Sequence, residues 1–251
     1  MPIPFSSLSA ESVLGRVLRA PLALIPDGMT VRILQGPLRG KKWIAGSSDH
    51  GCWLGSYEHA KQARLNDRLK RGGVMWDIGA NVGFYTLLAS HRAGPTGRVV
   101  AFEPLPENLV YLRRHLGMNG CRNVLVLDLA VSDHDGASLF KRGGSSSSGG
   151  IAEGGDVPVT VAALDHLWES GQIGSPDMIK MDIEGAEYQA LQGATKVLAS
   201  CAPVIFLATH GARVHKDCCD LLLRAGYKLE SLLPGVSIQT SNELIAVRDG
   251  P

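Results

Sequence analysis

The amino-acid sequence predicts an α/β fold with a doubly wound, mostly parallel sheet, because short apolar strands alternate with helical segments along most of the chain. Two stretches carry this prediction. Residues 74–103 read as a strand, a glycine turn, a helix and a second strand, and residues 178–187 read as another strand followed by several acids. Ligands of such sheets bind at the carboxyl ends of the strands, so both stretches also predict where a site lies.

Length and composition fit one main domain with an N-terminal addition. The chain has 251 residues, 45% of them hydrophobic and 20% charged, which is enough to bury a sizeable core. We expect residues 1–72 to form a helix, a β-hairpin and a linking helix that pack on a domain of residues 73–251. The formal net charge of +1 provides no field that would attract nucleic acid. No apolar run approaches the roughly twenty residues that span a bilayer, so no membrane contact is expected.

The cysteines indicate a reducing compartment. Their number, five, is odd and they form no C-x-x-C pair, so buried thiols are a better interpretation than disulfides or a metal site. Near the N-terminus, Glu11, Arg16 and Arg19 interrupt the continuous apolar stretch that a signal peptide needs. We therefore expect a soluble cytoplasmic protein. An oligomer is compatible with the sequence but unsupported by it.

The N-terminal addition contains three predicted elements. Apolar spacing predicts a helix over Leu8–Arg19, and alternation around a turn predicts a hairpin over Met29–Ala45. A charged helix then ends at Gly72–Gly73, where glycine suits a left-handed cap. This helix could present Tyr57 and Glu58 to the crevice, although core packing and a helix-start charge explain them equally well. The hairpin also has a basic tip, which solvation of its turn explains: Arg39, Lys41 and Lys42.

The first of the two informative stretches has the features of an adenosine site. Its opening strand closes on Asp77, and Gly79 and Gly83, with Asn81 between them, allow a sharp turn and a close backbone approach to a ligand. The helix that follows directs free N–H groups and the positive end of its dipole into the crevice. The second strand ends on Glu103, twenty residues after Gly83, where a carboxylate can accept both hydroxyls of a ribose.

The glycine spacing indicates which adenosine ligand binds. Dinucleotide sites usually show G-x-G-x-x-G, because a pyrophosphate must lie on the backbone, whereas this turn has G-x-x-x-G with Asp77 two residues ahead. A carboxylate at that position repels a pyrophosphate but favours the ammonium group of S-adenosylmethionine. The pattern therefore favours this methyl donor over NAD.

The alternation continues after Glu103. Residues 106–119 read as a helix, and Asn123–Ala130 reads as a buried third strand. Because the third strand of such a sheet ends beside the adenine, Asp128 and the backbone near Ala130 are candidate contacts, although a solvated carboxylate explains Asp128 equally well. Residues 143–155 are mostly glycine and serine and predict a mobile surface loop, with a lid that orders on binding as the alternative.

The second informative stretch supplies the opposite wall of the crevice. Asp182 ends an apolar strand, and Glu184 and Glu187 follow within about one helical turn. Three acids so close together need a positive partner, which can be a sulfonium, an ammonium group, a metal ion or the helix start itself. The helix start explains Glu187, but Asp182 lies at the edge where ligands bind. His210 ends the next apolar strand, where it could accept a proton from a substrate hydroxyl or serve a structural role.

Five motifs in these stretches resemble the FkbM family of S-adenosylmethionine-dependent methyltransferases. The similarity extends from about Val31 to the C-terminus. The motifs are DIGANVGFYT (77–86), VVAFEPLPEN (99–108), NVLVLDLAVSD (123–133), IKMDIEGAE (179–187) and a proline-led strand ending in THG (203–211). The combination of AFEP with IKMDIEGAE, in this order, is the most specific feature.

The resemblance implies a class I methyltransferase (Rossmann-like) fold, with a seven-stranded sheet whose last strand is antiparallel. It implies methyl transfer mostly to oxygen, on sugars, polyketides and other secondary metabolites. It also implies a role for each motif residue: Asp77, Gly79, Asn81 and Gly83 in the donor loop, Glu103 on the ribose, and Asp182 with Glu184 on the floor of the active site. The chain departs from the family at Ala208, where a glutamate is common. This departure makes a metal-dependent mechanism less favoured, and it makes His210 and Asp182 the preferred catalytic groups.

The predicted reaction is in-line methyl transfer from S-adenosylmethionine to a small hydroxylated acceptor, without a metal. Asp182, His210 and Glu184 are the expected catalytic residues, with His210 or Asp182 as the base. Two alternatives remain open. A nucleotide-dependent oxidoreductase would bind NAD instead, and a non-catalytic module would retain the fold and the ligand but have lost the chemistry.

Overall fold

The computed structural model of the protein describes residues 25–142, 149–151 and 154–249. The predicted helix over Leu8–Arg19 lies outside the described residues, as do residues 143–148 and 152–153 of the glycine and serine segment. None of the helices in the described ranges is both long enough and apolar enough to cross a bilayer. The five cysteines all lie within these ranges and carry free thiols.

Strands and helices alternate in the predicted manner. The strands are β1 (Thr30–Arg32), β2 (Lys42–Ile44), β3 (Val74–Ile78), β4 (Arg98–Phe102), β5 (Val124–Leu127), β6 (Ala130–Ser132), β7 (Gly136–Arg142), β8 (Gly149–Ile151), β9 (Val157–Ala163), β10 (Met178–Met181), β11 (Val204–Ala208), β12 (Lys228–Ser231) and β13 (Glu243–Val247). The helices are α1 (His50–Leu54), α2 (His59–Arg68), α3 (Phe84–Ala93), α4 (Pro106–Met118), α5 (Leu164–Glu169), α6 (Glu187–Gln192), α7 (Thr195–Cys201) and α8 (Ala212–Arg224).

The large sheet has seven strands in the order β12-β13-β11-β10-β3-β4-β5. The pairs from β11 to β5 are parallel, and β13 runs antiparallel to both β11 and β12. The order reverses between β3 and β10, and ligands of open α/β sheets bind at such a switch point. This topology confirms the predicted class I fold with an antiparallel last strand.

Two hydrophobic clusters cover the two faces of this sheet. Successive residues of a strand point to opposite faces, so Trp76 and Ile78 of β3 join one cluster whereas Met75 joins the other. The second cluster also contains Trp43 of β2 and Leu65 of α2. The described part of the N-terminal addition therefore packs into the main core, and the boundary at residue 72 stays a prediction.

The N-terminal hairpin forms as predicted, with Thr30 opposite Ile44 in antiparallel register. The linking helix ends earlier than predicted. Its last residue is Arg68, and Leu69 follows in an extended conformation instead of a glycine cap. The left-handed Gly72 lies in the loop before β3, where its N–H donates to the carbonyl of Ala93. A left-handed glycine signals a turn, but it does not specify that the turn ends a helix.

A second sheet, in the order β6-β9-β7-β8, was not predicted. The expected third strand, 123–130, ends at Leu127, and Ala130 begins β6 of this other sheet. Part of the expected mobile loop is ordered, because Gly149–Ile151 pairs with Phe140–Arg142 of β7. Main-chain pairing does not require large side chains, so composition alone did not predict this short strand.

Candidate active site

A cavity of about 360 Å³ opens at the carboxyl edge of the large sheet, above the ends of β3, β4, β10 and β11. Its size suits a small-molecule ligand. Seven of the predicted site residues line it: Gly79, Asn81, Glu103, Ala130, Asp182, Glu184 and His210. The other three, Asp77, Gly83 and Asp128, lie outside its wall.

Glu103 lies in the half of the cavity assigned to the donor. Its carboxylate is only 4% exposed and accepts three hydrogen bonds. Oε2 accepts from the Asn81 N–H at 2.7 Å, and Oε1 accepts from the Leu105 N–H and from Asn108 Nδ2, both at 3.0 Å. Burial raises the pKa of Glu103, and these donors oppose the rise. A carboxylate has about four acceptor sites, and the three hydrogen bonds leave one of them for a ribose hydroxyl. To accept hydrogen bonds from two ribose hydroxyls, the carboxylate must lose one of its present protein donors.

The turn between β3 and α3 depends on residues with positive φ. Gly79 has a φ of 76° and Asn81 a φ of 50°. A Cβ on Gly79 would lie 2.1 Å from the carbonyl oxygen of Asp182, so only glycine lets the ends of β3 and β10 approach so closely. Gly83 precedes α3 with a φ of 92°, and its Cβ would lie 2.4 Å from Leu112 Cδ1. Gly79 therefore shapes the cavity, whereas Gly83 allows α3 to pack on α4.

Asp77 is fully buried beneath this turn. Its Oδ2 accepts a hydrogen bond from Thr86 Oγ1 at 2.6 Å, and its Oδ1 lies 3.5 Å from Lys180 Nζ, on the neighbouring strand in direct register. Lys180 lines the cavity and donates to the carbonyl of Gly79 at 2.8 Å. The placement favours an indirect role for Asp77, which orients the lysine that holds the glycine turn.

The two predicted adenine contacts lie in different environments. Asp128 is exposed and forms an ion pair with Arg113. This position agrees with the alternative interpretation of Asp128 as a solvated carboxylate. Ala130 lines the cavity and shares an apolar cluster with Leu105 and with Phe140 of β7. The second sheet therefore supplies an apolar wall that suits a purine ring.

His210 lies in the other half of the cavity, held by a buried carboxylate. Glu187 is fully buried at the start of α6, accepts backbone N–H groups from the preceding turn and binds His210 Nδ1 at 2.9 Å. This contact directs Nε2 toward the two other acids, 3.8 Å from Asp182 Oδ1 and 3.6 Å from Glu184 Oε2. Glu184 itself is in the left-handed conformation, with a φ of 55°. Glu187 thus serves the helix start, as predicted, and also positions the histidine.

The charges of this cluster are strongly coupled. The hydrogen bond that His210 Nδ1 donates to Glu187 raises the pKa of His210 to about 9, with help from the neighbouring carboxylates and against the effect of burial. At neutral pH the free protein therefore holds His210 as an imidazolium. Burial raises the pKa of Asp182, but two nearby lysines and His210 outweigh it, so that its pKa lies below the usual value. The pKa of Glu184 is raised, chiefly by burial.

Three of these side chains could hold a divalent cation. The ligating atoms of Asp182, Glu184 and His210 lie within 4.8 Å of one another. A cation would have to displace the proton of His210, because a ligating imidazole must be neutral. The imidazolium already offsets part of the negative charge, so the cluster does not depend on a metal ion for its charge balance. The absence of a metal requirement stays a prediction.

Lys61 is an unpredicted member of the site. It is only 3% exposed, and its Nζ lies 3.1 Å from Glu58, 2.6 Å from Glu243 and 3.9 Å from Asp182. Tyr57 and Glu58 line the cavity, so the segment before α2 reaches the crevice. Lys61 lies in a charged helix and no local pattern distinguishes it from a solvated lysine. Lys180 did carry a signal, since a lone charge in an apolar strand needs a buried partner.

Comparison with known proteins identifies the family. The family described as the methyltransferase FkbM domain matches residues 77–229, which is more than half of the chain. The chain belongs to the FkbM methyltransferase family. The resemblance noted in the motifs is thereby confirmed.

Two curated relatives and one solved structure illustrate the FkbM likeness. The hexuronic acid methyltransferase AglP of Haloferax volcanii is 29% identical over 168 residues, which are 66% of this chain and 68% of AglP. The AMB antimetabolite synthetase AmbE of Pseudomonas aeruginosa is 40% identical over 88 residues, which are 34% of this chain and 4% of AmbE. The crystal structure of the methyltransferase FkbM from Methylobacillus flagellatus KT has a TM-score of 0.51 and 18% identity. It covers 80% of this chain, which spans 55% of that protein, and supports the class I fold.

The departure from the FkbM pattern at Ala208 has a structural counterpart. Ala208 of β11 pairs in register with Glu243 of β13, and both residues line the cavity. Residues opposite each other on antiparallel strands have Cβ atoms about 5 Å apart. Glu243 therefore brings a carboxylate to the position beside Ala208 and binds Lys61 there.

Proposed function

We propose that this chain is an S-adenosylmethionine-dependent O-methyltransferase that acts on a small hydroxylated acceptor, with sugars as the favoured class. One observation carries the proposal. Glu103 and the pair formed by Asp182 and His210 line a single cavity, at the ends of strands that flank the topological switch between β3 and β10. An adenosine-binding carboxylate and a proton acceptor in one enclosure are what this reaction requires.

The described residues fit the methyl donor. Glu103 has an acceptor site for a ribose hydroxyl, Gly79 and Asn81 provide a close backbone turn, and the wall with Ala130 and Phe140 suits adenine. The carboxylate of Asp182 supplies negative charge for a cationic ligand. When bound, S-adenosylmethionine supplies an electrophilic methyl group on a positively charged sulfur.

His210 is the proton acceptor in this proposal. The hydroxyl group of the substrate loses its proton as its oxygen gains the methyl group. Nε2 of His210 is directed into the cavity, where it can accept this proton. His210 must first be neutral, so the activity of the free enzyme should rise with pH toward about 9. Asp182 stays charged under these conditions and orients the hydroxyl through a hydrogen bond.

Two observations support a sugar as the substrate that accepts the methyl group. AglP is named for methylation of a hexuronic acid, and its similarity to this chain extends over 168 residues, about two thirds of each protein. The acceptor half of the cavity is also rich in polar groups, with Glu58, Asn242 and Glu243 on its wall. Such groups can pair with the hydroxyls of a saccharide.

Calorimetric titration with S-adenosylmethionine, and with NAD in parallel, tests the donor site. The Glu103→Ala variant should lose donor affinity by tenfold or more, whereas Asp128→Ala, an exposed carboxylate outside the cavity, should bind as the wild type does. Equal binding by the Glu103 variant would contradict the ribose assignment. Binding of NAD without the methyl donor would favour the oxidoreductase alternative.

Formation of S-adenosylhomocysteine with a panel of glycosides and other hydroxylated compounds then tests catalysis. The His210→Ala variant should lower turnover by about a hundredfold, since the positioned base is lost. Donor binding without product on any member of a broad panel would support the non-catalytic alternative. If the His210 variant is active, then either Asp182 is the general base or the reaction needs none.

A further inference from the structure

A second cavity, of about 640 Å³, opens at the opposite, amino edge of the large sheet. Its wall comes from the segments that precede β2, β3, β4 and β5 and from the end of α3. Strand β4 begins here at Arg98 and leads to Glu103 at the first cavity. At about 3.3 Å per residue the two cavities are roughly 16 Å apart, so they are distinct sites.

Four basic side chains line this amino-edge cavity, with the three arginines exposed to solvent and the lysine half-buried: Lys41, Arg71, Arg98 and Arg122. Within the described ranges, no carboxylate lines the cavity and none of the four forms a salt bridge. They come from four separate segments of the chain. Like charges gathered without counter-charges repel one another, and an anion in the cavity would relieve that repulsion.

The positive charges also act on a neighbouring side chain. His91 of α3 also lines the cavity, and its pKa is lowered by burial and then by the charges of Lys41 and Arg71. The basic character does not follow from an excess of cations in the chain, because the formal net charge is only +1. Five carboxylates line the other cavity, by contrast: Glu58, Glu103, Asp182, Glu184 and Glu243.

The frame that holds these cations is preformed. Asn123 Nδ2 donates to the carbonyls of Ser90 and Gly94, at 3.2 and 2.8 Å, and so joins the end of α3 to the loop before β5. Asn119 Nδ2 donates to the carbonyl of Lys42 at 2.8 Å and so joins the same loop to β2. A concave wall with fixed spacing suits a compact ligand, since little ordering is needed on binding.

We propose that the amino-edge cavity is a second binding site, for a small ligand that carries a diphosphate group. Guanidinium groups match phosphate oxygens in a bidentate manner, and three arginines with one lysine complement the several negative charges of a diphosphate. A nucleic-acid backbone fits less well, because it needs an extended basic stripe and the cations here surround one concavity. The diphosphate can belong to a free nucleotide-like molecule or to the headgroup of a membrane lipid.

Calorimetric titration with inorganic pyrophosphate at low ionic strength tests the site. The wild type should bind one equivalent, and higher salt should weaken the binding. The double variant Arg98→Gln/Arg122→Gln should lose tenfold or more in affinity. The double variant Arg213→Gln/Lys228→Gln removes the same charge from exposed positions elsewhere and should stay within twofold of the wild type. Thermal unfolding confirms that both variants fold.

Two further probes separate the possible ligands. Uridine diphosphate in solution and vesicles that contain an isoprenyl diphosphate distinguish a soluble source from a lipid source, and binding of either one that depends on Arg98 and Arg122 supports the site. No binding of pyrophosphate by the wild type, or equal losses in both double variants, overturns the proposal. The proposal is also overturned if a single-stranded RNA binds more tightly than every diphosphate probe. These outcomes do not depend on methyl transfer, because the site shares no residue with the first cavity.

Discussion

Replacing Glu187 by glutamine should lower the pKa of His210, because the contact between these residues is the largest cause of its raised value. Glutamine retains an oxygen that can accept a hydrogen bond from Nδ1–H, but the substitution removes the negative charge that stabilises the imidazolium. The wild-type pKa of about 9 lies some 2.5 units above an ordinary histidine. At pH 7, most of His210 therefore carries the second proton, against about a quarter for an unperturbed imidazole.

NMR titration of the histidine ring signals measures this change without an acceptor substrate. The chain has eight histidines, and the spectrum of a His210→Gln variant assigns the signal. The midpoint should be near 9 in the wild type and should fall by at least one unit in Glu187→Gln. Glu184→Gln serves as the comparison, since this half-buried acid lies 3.6 Å from Nε2 and should shift the midpoint less.

The same linkage predicts how stability depends on pH. A raised folded-state pKa stabilises the fold fully below the unfolded value near 6.5, and this contribution is lost as pH rises through about 9. The difference in thermal stability between the wild type and Glu187→Gln should therefore shrink from pH 6 to pH 9.5. A wild-type midpoint near 6.5, or an unchanged midpoint in the variant, would refute the assigned coupling.

Three other substitutions test the architecture of the site. Gly79→Ala should destabilise the fold by about 2 kcal/mol in chemical denaturation and abolish donor binding, because its Cβ would meet the Asp182 carbonyl at 2.1 Å; normal donor binding would show that the turn adapts. Lys61→Met should lower the free energy of unfolding by roughly 2–3 kcal/mol, since it removes the ion-pair partner of Glu58 and Glu243 and one of the cations beside Asp182; an unchanged value would mean that these carboxylates are adequately solvated. Glu243→Ala should lower the thermal midpoint, and adding Ala208→Glu should restore at least half of the loss, because the two positions are paired in register. No recovery in the double variant would show that the two positions are not equivalent.

Much of the cavity wall around Gly79 and Glu103 could be predicted because its features are adjacent in the sequence. Gly79 and Glu103 follow the two strands of one βαβ unit, and that unit is specified by its apolar pattern and turn residues. The role of Asp77 was harder to predict, because the motif shows where a carboxylate lies along the chain but not which way the strand turns it. In the structure it faces Lys180 across the sheet and does not line the cavity.

The opposite wall of the cavity was predicted in part. Asp182 and His210 end neighbouring strands, so their proximity follows from strand order. The second sheet was missed although β7 and β9 have seven residues each, because β6 and β8 have only three and β8 lies in the glycine- and serine-rich segment that predicts a loop. As a result, the contribution of Phe140 to the cavity could not be foreseen.

Local patterns were sufficient for the class I fold, the FkbM family and the edge of the sheet where the cavity opens, because each strand, turn and helix start is specified by residues close together in the chain. The charges that complete each site converge from distant segments. Lys61 meets Glu243 across 182 positions, and Lys41, Arg71, Arg98 and Arg122 meet at the amino edge of the sheet. Electrostatic interaction depends on distance in space, and that distance is set when the strands and loops pack together.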